Sequence, residues 1–135
     1  MQETSEARKT MKDVIYVALG GAVGSVLRYW VGIVTIRLFG PFLPWGTFSV
    51  NLIGSFCIGL FAEMIARKFD ASADLRMLLI TGLLGGFTTF SAFMLDTVSL
   101  AERGDLLWPA FYVAASIGFG VGAVFTGLAV GRWLF

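Results

Sequence analysis

Long stretches without charge fix the class of structure open to this chain. Residues 77–95 and 106–131 contain no Asp, Glu, Lys or Arg. About 20 predominantly apolar residues of helix cross the hydrocarbon core of a bilayer. Four segments reach that length. The first covers 14–39, with Arg28 as its sole charge before Arg37. The second covers about 46–66 and is uncharged until Glu63. The third covers about 75–100 and carries Asp96 near its end. The fourth runs from about Trp108 to the C-terminus. The connections at 40–45, 67–74 and 102–105 are too short for an extramembrane domain. The sequence therefore predicts an all-α membrane protein, one transmembrane domain over 1–135, with helices near 13–39, 46–67, 75–101 and 107–133. Residues 1–12 read as a polar N-terminal arm that frays, with Met11 an equally acceptable start.

Composition excludes the main alternatives. Of the 135 residues, 57% are hydrophobic and 14% charged, against about 25% charged in an ordinary soluble domain. Ten Lys and Arg against nine Asp and Glu give a net charge of +1, too small a field to attract nucleic acid. The absence of histidine removes the usual proton shuttle and every Ser/His or Cys/His nucleophile. With no paired acids and no cofactor motif, an enzyme is not expected. Cys57 stands alone and reads as a small buried hydrophobe.

Punctuation agrees with four spans. Pro41, Pro44 and Pro109 fall in connections or a first helical turn, where a missing N–H costs little. Trp45, Trp108 and Trp133 stand at span ends, as interfacial rings should. The first span is too long for a signal peptide and lacks a small-residue cleavage pattern. Arg8, Lys9, Lys12, Arg67, Lys68, Arg76 and Arg132 share one side of the bilayer, against Arg37 and Arg103 on the other. This bias places both termini in the cytoplasm.

Seventeen glycines require a packing explanation. In lipid, helices associate through close contact, so small residues mark contact faces. Four-residue spacings join Gly20 with Gly24, Gly82 with Gly86, Gly118 with Gly122, and Gly127 with Gly131. Helix–helix packing is the expected role of these pairs. The run at 82–91, Gly-Leu-Leu-Gly-Gly-Phe-Thr-Thr-Phe-Ser, is different, because adjacent glycines followed by β-branched threonines make a poor helix. It predicts a non-helical break near the bilayer midplane. Unwound backbone there is tolerated only in protein or beside a wet cavity. On the residues alone, two readings stand: an ion site or a glycine kink without a ligand.

Polar side chains follow helical rows. Thr47, Asn51 and Ser55 share a face of the second span; Tyr112 and Ser116, with Gly120, share one of the fourth. Interhelical hydrogen bonding and a lined pathway explain the hydroxyls equally well. Asn51 needs several partners in hydrocarbon. Phe90 and Phe93 lie three apart just beyond the break, where core packing is the default for each alone. Arg28, deep in the first span, is expected to face an interior or a watery vestibule. No carboxylate lies at mid-membrane for a cation relay. Amide and hydroxyl donors, aromatic edges and one arginine suit a small anion that sheds its water.

Three motifs then coincide: Gly-Gly-x-x-Gly-x-x-x-Arg-Tyr at 20–29, Gly-Thr-Phe-x-Val-Asn at 46–51, and Gly-Gly-Phe-Thr-Thr-Phe-Ser at 85–91. Together they resemble the bacterial fluoride channel family known as Fluc or CrcB, over nearly all the chain after its N-terminal arm. The resemblance implies an antiparallel, dual-topology homodimer of four-helix subunits, with two fluoride pathways. It implies passive export of fluoride across the bacterial cytoplasmic membrane, relieving fluoride toxicity. Phe90 and Phe93 match the pair whose ring edges face fluoride. Asn51 matches an amide donor of the pathway, with Thr47, Tyr112 and Ser116 as further lining. Gly85 and Thr88 match the break whose backbone carbonyls hold a structural sodium ion, and Arg28 the vestibule arginine. No organic cofactor is implied. The basic-residue bias runs against insertion in both orientations.

Two other classes of small membrane protein fit the sequence less well. A four-helix drug-exporting antiporter needs a membrane-embedded acid in its first helix, and residues 14–36 contain none. A subunit that only packs against a partner would use the glycine faces but leave the break and donor rows without purpose.

Overall fold

A computed structural model describes residues 2–135, with side chains from Ser5 onward. Four helical stretches are long and apolar enough to cross a membrane: Ser5–Phe39, Trp45–Lys68, Ala73–Ala101 and Leu107–Leu134. Helix α1 spans Gln2–Phe39 and α2 spans Trp45–Lys68. The third stretch is composite: α3 (Ala73–Leu75), a π-helical run Arg76–Leu84, α4 (Gly85–Phe87) and α5 (Phe90–Ala101). Helix α6 is Leu107–Leu134.

The polar N-terminal residues differ from expectation. They are helical from Gln2 and continue directly into the apolar part of α1. The segment has no Gly or Pro to stop a helix. Lys12 Nζ, at its inner end, meets Asp74 Oδ2 at 2.5 Å at the start of the third stretch. Gly40 (φ +74°) ends α1 and Gly104 (φ +88°) turns the chain toward α6. Both adopt the left-handed region that glycine enters at little steric cost.

Glycines set the two closest helix contacts. Helix α2 packs along α6, and α1 packs along the π-helical run and α4. A methyl group at Gly59 would fall on the Val124 carbonyl of α6, and one at Gly127 on the Phe56 carbonyl of α2. Across the other contact, Gly20 and Gly24 face the Leu78 and Leu83 carbonyls, while Gly86 sits on the Gly21 backbone. Backbones this near leave no space for a Cβ, so Gly is required at these sites. Gly118 and Gly122 depart from the expected packing role: a Cβ at either meets nothing within 4 Å. Their face of α6 is turned away from the other helices of the chain.

The interior is small. Val50, Ile65, Leu84, Phe87, Phe93, Leu100 and Tyr112 are its buried hydrophobic residues, while Trp30, Phe125, Leu95 and many others lie exposed. An outward apolar surface is stable where lipid, rather than water, is the solvent. Among the described residues Thr35 is the buried polar one, and its hydroxyl donates back to the Val31 carbonyl at 2.8 Å.

Candidate functional site

The backbone leaves helical geometry at two threonines. Thr88 has φ −83° and ψ 160°, Thr89 φ −155° and ψ 119°, and helix resumes at Phe90. Gly85 and Gly86, the residues of lowest helix propensity in this run, remain helical. The smallness of Gly86 serves contact instead, since it lies against the Gly21 backbone. The β-branched pair, which prefers extended backbone, takes up the irregularity.

Asn51 holds this irregular backbone. Its Nδ2 donates to the Thr89 carbonyl at 3.0 Å, and its Oδ1 accepts the Thr89 N–H at 2.8 Å. Thr89 in turn caps α5, its hydroxyl accepting the Ala92 N–H at 3.3 Å. In an uninterrupted α-helix, the Thr89 and Ala92 N–H groups would close on the carbonyls of Gly85 and Thr88. Both donors are captured by side chains, which releases those two carbonyls from their helical partners. Arg28 Nη1 reaches the Thr88 carbonyl at 3.4 Å. The Thr88 hydroxyl donates back to the Leu84 carbonyl at 2.8 Å, and its methyl packs onto Gly54 of α2.

Aromatic rings continue from the far side of the threonines. Phe90 and Phe93 stand 6.0 Å apart between ring centroids, and Phe93 and Tyr112 5.3 Å apart. Their exposures are opposite: Phe93 is 6% exposed and Phe90 73%. The pair thus runs from the interior to the outer surface of the chain. The Tyr112 hydroxyl and Ser116 Oγ are buried without a hydrogen-bond partner. An unpaired buried donor costs about 1–3 kcal/mol, so both hydroxyls have unused hydrogen-bonding capacity.

Two cavities meet at Thr89. One, of about 450 Å³, opens between the α1–α2 connection and the end of α5; Arg28, Thr47, Asp96 and Arg103 are among its lining. The other, of about 330 Å³, is lined by Asn51, Ser55, Gly85, Thr88 and Phe90 among others. The row Thr47–Asn51–Ser55 therefore runs from one cavity to the other along α2. Tyr112 lines an apolar cleft of about 250 Å³ walled by Phe48, Phe111 and Phe119, and its hydroxyl faces Thr47 and Asp96 of the larger cavity.

Three polar side chains of the site, Thr89, Ser99 and Arg103, all lining the larger cavity, are not marked as such by the sequence. Thr89 enters the sequence reading only as part of the glycine-threonine run and its motif, although a threonine directly before an apolar helix is an N-cap signal. Ser99 and Arg103 carried no signal, because only the packing of α1 and α2 brings them to the Arg28 cavity. Among the described residues, no cluster of His, Cys, Asp and Glu could hold a metal ion through side chains.

These features define a multi-pass helical membrane protein, its interior lined by hydroxyls, an amide and aromatic rings around an irregular third stretch. More narrowly, the chain belongs to the CrcB family: the family model described as "CrcB-like protein, Camphor Resistance (CrcB)" matches residues 15–128. Curated relatives bear the name "Fluoride-specific ion channel FluC". One from Allorhizobium ampelinum is 99% identical over 125 residues, covering 93% of this chain and all of the relative. One from Rhizobium etli is 59% identical over 92% of this chain and 99% of its own length. One from Agrobacterium fabrum is 57% identical over 93% of this chain and 100% of its own length.

Proposed function

We propose that this protein is a fluoride-selective channel that lets fluoride leave the bacterial cytoplasm passively, relieving fluoride toxicity, and that it is not an enzyme. The observation that carries this reading is the extended pair Thr88–Thr89, held by Asn51 and flanked by Phe90 and Phe93. The names of the relatives support the choice of ion. Fluoride binds its hydration water tightly, so a pathway must replace that water with donors. Asn51 retains one amide hydrogen beyond the one given to Thr89. Thr47, Tyr112 and Ser116 add hydroxyls, two of them without partners in the protomer. Phe90 and Phe93 offer ring edges, which carry partial positive charge. Arg28, beside the larger cavity, favours anions at its inner end.

The functional unit in this proposal is an antiparallel homodimer in the inner membrane, with the Thr88–Thr89 irregularity of each copy at mid-bilayer. Two features support a second copy: Phe90 is exposed beside the 330 Å³ cavity, and Gly118 and Gly122 are uncovered on α6. A structural sodium ion belongs to the same proposal. Its fit rests on the Gly85 and Thr88 carbonyls, released from helical bonding as hard oxygen donors. When bound, sodium would supply a fixed positive charge between the two copies. Asn51, Thr89 and Arg28 keep the surrounding backbone in place.

Purified protein in liposomes loaded with fluoride tests the function, with efflux followed by a fluoride electrode. Fluoride release far above that of empty liposomes, with chloride retained, is expected. Release equal to the empty control, or equal passage of chloride, would end this reading.

A further inference from the structure

The larger cavity holds a second arginine that neither the motifs nor the proposed pathway uses. Arg103 lies in the turn between α5 and α6, and its Nη1 donates to the Phe42 carbonyl at 2.7 Å. One of the five guanidinium donors is occupied in this way, and the bond fixes the group at the cavity mouth formed by the α1–α2 connection. Arg28 is at the other end of the same cavity. Ile36 and Gly32 line the wall between; from Arg28 to Ile36 the α1 axis rises about 12 Å. The space, about 450 Å³, is equivalent to about 15 water molecules at about 30 Å³ each.

We infer that Arg103 and Arg28 form a two-station anion vestibule, in which Arg103 captures a still-hydrated monovalent anion and passes it inward toward Arg28 and Thr89. The inference deepens the fluoride reading and rests on it for the identity of the ion carried. Asp96 also lines the cavity, so two cations and one carboxylate leave a single positive charge to act on entering ions. A low-dielectric wall focuses such a field and raises the local concentration of counter-ions. Ser99 and Thr47 supply hydroxyls between the stations. The vestibule is far wider than a bare halide, so it concentrates anions without choosing among them; selection belongs to the narrower aromatic region beyond Thr89.

Trp45 lines the cavity and reports on it directly. The experiment keeps Trp45 as the sole tryptophan, through Trp30→Phe, Trp108→Phe and Trp133→Phe. It compares quenching of its fluorescence by iodide, an anion, and by acrylamide, which is neutral. If that background does not fold, the same quantity is the difference between the natural chain and its Trp45→Phe variant. Arg103→Gln keeps a donor for the Phe42 carbonyl and removes the charge. At low ionic strength it is expected to weaken iodide quenching by about three-fold, the scale of one unit charge nearby in a wet cavity. Acrylamide quenching stays constant, Arg103→Lys preserves iodide quenching, and the difference vanishes near 1 M salt, where the screening length is about 3 Å. Iodide quenching that is unchanged, or that falls in step with acrylamide, overturns the inference. Fluoride efflux from liposomes is measured in parallel with the natural sequence. Its absence defeats the fluoride reading alone, because the quenching result still decides whether the vestibule gathers anions.

Discussion

Asn51 grips Thr89 through the two peptide units that flank its Cα, donating to its carbonyl at 3.0 Å and accepting its N–H at 2.8 Å. An extended pair between helices leaves backbone groups without helical partners, at a cost of about 1–3 kcal/mol for each one buried and unpaired. A single amide removes that cost for both groups of Thr89. The same contact brings the polar row of α2 against the irregular part of the third stretch. Asn51 is therefore a scaffold for the backbone as well as a candidate donor for the ion.

Replacing that amide separates the two duties. Asn51→Leu removes both bonds, while Asn51→Asp keeps an acceptor for the N–H and loses the donor to the carbonyl. Loss of one buried bond at about 1–3 kcal/mol corresponds to roughly ten-fold in an equilibrium per 1.4 kcal/mol. Fluoride efflux should fall about ten-fold or more in both variants. Thermal unfolding in detergent should show a larger loss of stability for Leu than for Asp. Efflux at the natural rate in both would remove Asn51 from the pathway.

Phe90 and Phe93 should respond unequally to the same substitution. Phe93 is 6% exposed and packs at a tilt against Tyr112, whereas Phe90 is 73% exposed. Phe93→Ile is expected to cost the protomer about 1–3 kcal/mol through lost packing and a lost aromatic pair. Phe90→Ile should leave protomer stability nearly unchanged. Both should depress fluoride efflux. Unfolding curves and electrode traces on the two variants, side by side, distinguish a packing residue from a lining one.

How much of this was legible in the sequence depended on which physics each feature obeys. The spans were legible because an absence of charge over about 20 residues has one common solution in lipid. The need for partners at Asn51 was legible because an amide in hydrocarbon cannot stay unpaired; its partner, a backbone unit 38 residues away, was not. The π-helical run Arg76–Leu84 left no mark, since a shift from i+4 to i+5 bonding has no compositional signature of its own. The irregularity was expected across the glycine-threonine run, yet only the threonines leave helical geometry, because Gly86 is needed small against Gly21. Gly118 and Gly122 share the spacing of the packed pairs, and a spacing cannot reveal which way a face points.

The glycine contacts give a direct comparison. A Cβ at Gly24 would fall on the Leu83 carbonyl, and one at Gly118 meets nothing within 4 Å of the chain. Gly24→Ala should therefore destabilise by about 1–3 kcal/mol, the usual penalty of overpacking, and should lower efflux by shifting α4. Gly118→Ala should leave the fold of the protomer intact. If it nevertheless weakens self-association, read by size-exclusion chromatography in detergent, the uncovered face of α6 belongs to the interface between copies. Unchanged association places that face against lipid.

Sodium dependence tests the proposed role of the released carbonyls. Thr89 N–H is bound to Asn51 and Ala92 N–H to the Thr89 hydroxyl, so neither closes on Gly85 or Thr88. Hard oxygens of this kind suit a hard monovalent cation and need no carboxylate. Protein purified and reconstituted with a bulky organic cation in place of sodium should lose most of its fluoride efflux and recover it when sodium returns. Thr89→Val strengthens the comparison. It removes the hydroxyl that caps α5, at about 1 kcal/mol, and returns the Ala92 N–H toward the Thr88 carbonyl. That variant should require more sodium for half-maximal efflux than the natural sequence does. Equal sodium requirements would mean that the Thr88 carbonyl does not bind the ion, and efflux indifferent to sodium throughout would remove the cation from the mechanism.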